Sequence, residues 1–165
     1  MAISPEANVA YLEGVEALAR QGAAAAANAM AKYIAERVAL DTLTQNRHAP
    51  GAYHKARPGA PPSTASGKLA KAMFHTPASG ELRASAIVGN SEKRARNLEF
   101  GGCVLRPTRS KVMHWVDSGG SWYHHVLPMD GERHEHPFLG PTTDEAVDDG
   151  DLQDAAIAAF REYDP

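Results

Sequence analysis

Cys103 is the only cysteine in the 165-residue sequence. No intrachain disulfide can form, and thiolate zinc sites of the finger kind are excluded. Aromatics are scarce at 7%, so much of any interior must be alanine. That favours close helix packing, or burial completed by assembly. Long apolar runs are missing as well: the alanine-rich stretch is broken by Arg20, Lys32, Glu36 and Arg37, too many charges for a bilayer span. The opening Met1-Ala2-Ile3-Ser4-Pro5-Glu6 has neither a basic n-region nor an apolar h-region, so it does not read as a signal peptide. A reducing cytoplasm is the expected place of synthesis. Catalytic signatures are lacking too. There is no Gly-x-Ser-x-Gly elbow, and Ser66-Gly67-Lys68 has no preceding glycine loop to cradle a phosphate. Cys103 beside Gly102 lacks a base and reads as a packed small residue.

What is present is an uneven distribution of charge. The net charge is −3. Residues 1–44 carry three bases and five acids, for −2. Residues 45–111 carry twelve bases against Glu81, Glu92 and Glu99, for +9. Residues 112–165 carry Arg133 and Arg161 against twelve acids, for −10. A basic middle and an acidic end can steer association between copies, or with nucleic acid. The overall composition, 43% hydrophobic and 22% charged, is ordinary for a soluble globular protein, and the length suits one domain.

Residues 4 to about 40 read as one long helix. Ser4 suits the N-cap, Pro5 the first helical position, and Glu6 the positive end of the dipole. Met30, Ile34 and Val38, joined by Val9 and Leu12, predict a single apolar face, with a bend possible at Gly22. A helix of that length reaches ~50 Å, more than a small globule needs, so its excess is expected either along its own domain or on neighbouring subunits. Residues 42–66 shift to Pro, Gly, Ser and His with Arg47, Lys55 and Arg57, and read as a basic loop or arm. Ser66-Gly67-Lys68-Leu69 begins a short helical turn. Glu81 to Val88 alternates as a half-buried strand and is expected to pair with residues 72–77 through Pro77-Ala78-Ser79-Gly80. Val104-Leu105, Val112–Val116 and Trp122–Leu127 are further strands, with Ser118-Gly119-Gly120-Ser121 as a turn. Thr142-Thr143-Asp144-Glu145 has the form of a capping box, and the helix it opens should break near Gly150 and restart at Asp151. The fold expected is therefore α+β. It has a long N-terminal helix (1–41), a loop (42–66), a small mostly antiparallel sheet with a short helix (67–139), and an acidic C-terminal helix packed on that sheet (140–165).

The densest local signal is Arg94-Ala95-Arg96-Asn97-Leu98-Glu99-Phe100-Gly101-Gly102. A glycine at 101 or 102 can take the left-handed conformation that ends a short helix. Glu99, between two apolar neighbours, is a half-buried carboxylate that requires a partner, either backbone N–H groups or an arginine. Leu98-Glu99-Phe100-Gly101 resembles the hydrophobe-Glu-Phe-Gly signature of the gene-product-ten-like neck proteins of long-tailed bacteriophages, also called head–tail joining or tail-completion proteins. Two further segments are similar to that family in the same order. Arg57-Pro58-Gly59-Ala60-Pro61-Pro62 leads to Ser66-Gly67-Lys68-Leu69, similar to its proline-rich lead-in and Thr-Gly-x-Leu. His136-Pro137-Phe138-Leu139-Gly140-Pro141 resembles its closing Pro-Phe-Leu-x-Pro before a last helix. Ser66 stands where threonine is usual, Arg94 where an aromatic is common, and Thr142 follows Pro141 in place of alanine.

The resemblance implies a structural virion protein of the neck, with no reaction catalysed and no cofactor. It would form a homo-oligomeric ring, six-fold or twelve-fold, joining the DNA-filled head to the tail. Its partners would be other neck, connector and tail proteins and the duplex DNA passing through the bore, with no membrane. A tail terminator or other minor tail component is the alternative. Gly67, Leu69, Glu99, Phe100, Gly101, Pro137, Phe138 and Leu139 would define the fold. The charge split supplies candidate subunit-interface or DNA-channel residues: Arg94, Arg96, Arg106, Arg109 and Lys111 on the basic side, and Asp144, Asp148, Asp149 and Asp151 on the acidic side. The rival readings come from other classes. One is a DNA-binding module using the basic middle. The other is a metal-dependent hydrolase built on His114, His124, His125, His134 and His136, in which His134 and His136 would share one face of a strand. His134-Glu135-His136 is not the helical His-Glu-x-x-His pattern, so these histidines read as surface and turn residues, and no metal site is expected.

Overall fold

The computed structural model describes residues 5–44, 59–62, 66–78, 83–101, 112–117, 120–125 and 135–163, with the backbone alone at 5–7, 112–117 and 120–125. The class is α+β, with a long N-terminal helix, short antiparallel strand pairs and C-terminal helices. Two compact units are formed, one from Met1–Glu36, Phe74–Gly89 and Thr143–Pro165, the other from Arg37–Met73 and Asn90–Thr142. The expected long helix is present: α1 runs Pro5–Arg37 without interruption at Gly22. No described helix is long and apolar enough to cross a membrane.

In the first unit the buried stripe of α1 is Ala27, Ala31 and Ala35. Met30 and Ile34, expected to lead the apolar face, are only half buried. Val9 and Leu12, expected on the same face, are 55% and 63% exposed. The reason is steric: a methyl side chain lets a neighbouring element approach more closely than a branched one, so the alanine row faces inward. Gly22 carries this to its limit, since a Cβ there would lie 2.8 Å from the Phe160 ring of α5 (Asp151–Phe160). The same helix α1 takes two polar contacts. Tyr33 donates its hydroxyl hydrogen to Asp151 Oδ2 at 2.5 Å, and Asn28 Oδ1 accepts the Ala78 N–H at 2.7 Å. The expected break between the last helices is present: Gly150, at φ 81°, separates α4 (Gly140–Asp148) from α5.

The second unit begins where α1 widens into a π-helical turn, Val38–Thr44. Residues five apart then align, which is why Val38 and Leu43 are both fully buried while Leu40 is 64% exposed. The Thr44 hydroxyl closes the turn on the Ala39 carbonyl at 2.6 Å. Thr42 to Thr44, expected in a loop, therefore belong to this turn, while residues 45–58 and 63–65 lie outside the described residues. Helix α2 (Lys68–Lys71) packs against the π turn. It starts from Gly67 at φ 64°, a left-handed residue that a side chain would strain, and it buries Leu69.

Two strand pairs follow. Strand β1 (Met73–His75) pairs with β2 (Val88–Asn90). Backbone bonds from Ser91 to the Ala72 carbonyl, 2.9 Å, and from Thr76 to the Ile87 carbonyl, 2.8 Å, bracket the ladder and fix its antiparallel sense. The pairing with residues 81–88 through a tight turn at 77–80 is thus corrected: the ladder lies further along, and the connection runs from Pro77 to Ala86. The alternation behind that expectation survives in burial, with Ala84, Ala86 and Val88 half buried and Arg83, Ser85 and Ile87 exposed. The strand begins only at Val88: the Ile87 carbonyl still accepts the Thr76 N–H, but the Ile87 N–H goes to the Thr76 hydroxyl at 3.0 Å in place of a backbone carbonyl. Strand β3 (Val112–Asp117) pairs antiparallel with β4 (Gly120–His125), from Val112↔His125 through Trp115↔Trp122 to Asp117↔Gly120. The turn expected over 118–121 is therefore shorter, because Gly120 and Ser121 are paired. Val104-Leu105 lies outside the described residues.

The π turn gives a direct test of the second unit's core. Leu43→Ala should destabilise the protein by about 2–5 kcal/mol, the usual cost of emptying a fully buried leucine site. Leu40→Ala, on the exposed side of the same turn, should stay within about 0.5 kcal/mol. Urea unfolding of both variants checks the contrast. Equal losses would mean that the turn is not π-helical in solution.

Candidate functional site

Helix α3 (Ala95–Phe100) carries the turn that dominates the sequence. Its first backbone bonds run from Ala95 to the Glu92 carbonyl, 2.9 Å, and from Leu98 to the Arg94 carbonyl, 3.1 Å. Ala95 is buried, and Lys93, Arg94 and Arg96 are exposed. Gly101 ends the helix at φ 66° and ψ −155°, a conformation that a residue with a Cβ takes only under strain. The sequence placed this stop correctly.

Glu99 projects from that helix into the start of α4. Its Oε2 accepts the N–H groups of Phe138 at 2.9 Å and Leu139 at 3.1 Å, and its Oε1 accepts that of Gly140 at 2.8 Å. These are donors that no intrahelical carbonyl satisfies, at the end of a helix where the dipole is positive. A carboxylate there serves as an N-cap supplied from 40 residues away in the chain. The requirement for a backbone or arginine partner is met by backbone. Gly140 belongs to the same fit, since a Cβ on it would stand 3.3 Å from Glu99 Oε1.

Around the cap, the two chain segments are tied by further bonds. The His136 N–H donates to the Leu98 carbonyl at 2.6 Å and the Gly59 N–H to the Glu135 carbonyl at 3.1 Å. His136 Nδ1 lies 3.0 Å from the Ala60 carbonyl, as a donor in the Nδ1–H tautomer. Phe138 is 2% exposed, and Pro137 and Leu139 are half buried. Thr142 is 5% exposed. Its hydroxyl donates back to the Phe138 carbonyl at 2.8 Å and lies 2.7 Å from the Thr42 hydroxyl. The expected capping box does not form. α4 starts at Gly140, so Thr142 is already inside the first turn and bonds backwards, and the cap comes from Glu99.

The other predicted residues separate. Asp144 and Asp148 are exposed on α4, and Asp149 is exposed just beyond it. Asp151, read as an interface acid, is half buried and takes the Tyr33 hydroxyl, so it serves the fold of its own unit. Phe100, expected to help define the fold, is 74% exposed. Gly67 and Leu69 hold the turn into α2. Arg106, Arg109, Lys111, Cys103 and His134 lie outside the described residues. His114, His124 and His125 sit opposite Tyr123, Met113 and Val112 in the β3–β4 ladder. Among the described residues no group of three histidine, cysteine, aspartate or glutamate side chains could hold a metal ion. Thr42, Tyr33 and Asn28 went unremarked in the sequence. Their partners lie 100, 118 and 50 residues away, and no local pattern encodes such a pair. No family model, curated protein or solved structure matches this chain.

Removing the cap carboxylate tests its weight. Glu99→Ala removes the side-chain acceptor of three amides and should cost on the order of 3 kcal/mol. Glu99→Gln keeps one carbonyl oxygen without the charge and should lose about half as much. Denaturant midpoints at constant slope read both losses. A Glu99→Ala variant as stable as the parent would show that water caps α4 equally well.

Proposed function

We propose that this chain is a structural virion protein of the bacteriophage neck, assembled as a ring that joins the DNA-filled head to the tail. The observation that carries the reading is the Glu99 cap. Leu98-Glu99-Phe100-Gly101 and Pro137-Phe138-Leu139-Gly140 belong to two of the three stretches on which the resemblance to neck proteins rests, and the carboxylate bonds one to the other. Sequence motifs that meet in one hydrogen-bonded unit have a shared physical reason to occur in that order. Gly67 and Leu69 support the reading in the same way, as a left-handed start and a buried anchor for the turn that the third motif describes.

Such a ring needs a heterologous contact, one face of a copy meeting a different face of the next. Exposed cations at Lys93, Arg94 and Arg96 and exposed acids at Asp144 and Asp148 give the chain surfaces of both signs, which suits a head-to-tail contact. With the segment 106–111 also basic, the bore presents either acids that repel DNA and let it slide, or bases that hold it through phosphate. A minor tail component such as a tail terminator would use the same contact.

Purified protein viewed by electron microscopy should show closed rings of six or twelve copies. Light scattering should report fewer subunits per particle as salt is raised from ~0.1 M to ~1 M, where the screening length falls from ~10 Å to ~3 Å. Neutralising Arg94, Arg96, Arg106 and Arg109 together should have the same effect. Rings indifferent to both changes would rule out charge pairing as their basis, and a chain monomeric under all conditions would end the ring reading.

A further inference from the structure

The first turns of α1 carry more apolar surface than the rest of the helix. Val9, Tyr11 and Leu12 are 55%, 69% and 63% exposed. Val9, Leu12, Glu13 and Glu16 fall at i, i+3, i+4 and i+7, so they share one face of the helix. Reading from Val9, that face is apolar for one turn and acidic for the next, and Glu13 and Glu16 are both exposed. Large hydrophobic side chains set on one face of a helix and left in water call for a covering surface.

The chain itself has a face of the opposite kind. Arg96 and Phe100 fall at i and i+4 on α3, and Lys93 stands in the turn that leads into it. The two cations are exposed and the Phe100 ring is 74% exposed. Read in chain order, this face is basic and then apolar. An antiparallel setting of the two faces puts Phe100 on Val9 and Leu12, and Arg96 against Glu13 and Glu16. The spacing also agrees: the apolar and charged members lie one helical turn apart on both sides, Leu12 to Glu16 and Arg96 to Phe100. Glu16 already pairs with Arg20 on its own helix, and its carboxylate has a second oxygen to offer another cation.

We infer that the N-terminal end of α1 docks on the α3 face of a second copy of this chain. Charge complementarity selects that occupant: an acidic partner would be repelled by Glu13 and Glu16, and a wholly apolar one would offer no cation to Glu13. The inference rests on the reading that copies of this chain associate, and it names the surfaces by which they do so. The contact is heterologous, so each copy gives its α1 to one neighbour and its α3 to another.

The test uses the full chain with a photo-reactive benzoylphenylalanine in place of Leu12, which lies on that face, in an equal mixture of isotope-labelled and unlabelled protein. The expected result is a mixed-label cross-link to the peptide containing Phe100. Arg96→Glu should lower its yield roughly tenfold, and adding Glu13→Arg with Glu16→Arg should restore it. These positions are exposed, so circular dichroism should stay at the parent value. Cross-links confined to one label, or reaching other peptides, overturn the inference, as does a yield indifferent to Arg96→Glu. Light scattering on the same samples separates the two readings. Oligomers without this cross-link overturn the α1–α3 contact alone, and a monomer at every concentration overturns association as well.

Discussion

One carboxylate holds the second unit's chain segments in place. Glu99 takes the N–H groups of Phe138, Leu139 and Gly140, at a helix start beside the buried Phe138 ring. The other bonds of the region are arranged around that fact. Gly101 turns the chain away as soon as Glu99 has been placed, Gly140 keeps a side chain out of the carboxylate's path, and Thr142 returns its hydroxyl to the Phe138 carbonyl. A carboxylate acting on three donors is also directional. It sets where α4 begins, which a purely apolar contact would leave loosely defined.

The first unit is held differently. Its long helix buries methyl groups, Ala27, Ala31 and Ala35, and accepts the Phe160 ring in the space left by Gly22. With few aromatics to fill volume, close approach of backbones replaces side-chain bulk. The scarcity of aromatics in the composition and the alanine stripe in the structure are thus one property seen at two levels.

What the sequence disclosed follows from how local each signal is. The long helix, the stop at Gly101, the break at Gly150 and the β3 and β4 segments rest on residues adjacent in the chain, and all were legible. Glu99 was legible as a carboxylate in need of a backbone partner, because its neighbours Leu98 and Phe100 made its setting half apolar. Its acceptance of amides 39 to 41 residues away was not. The register of β1 with β2 was misplaced because the alternation at 83–88 describes burial, and burial alone does not say which backbone groups are bonded. The π turn at Val38–Thr44 gave no sign, since its apolar spacing of five departs from the period that sequence patterns are read against. Asp151 looked like a surface acid until Tyr33 supplied it with a partner.

The alanine row has a mechanical side. Methyl groups have no rotamers and interlock weakly along the helix axis, so a seam made of them resists separation far better than it resists sliding. Asn28 on the Ala78 amide and Tyr33 on Asp151 act as pins through that seam. With both withdrawn, the Phe160 ring seated against Gly22 would be left to keep α1 from slipping lengthwise in its unit.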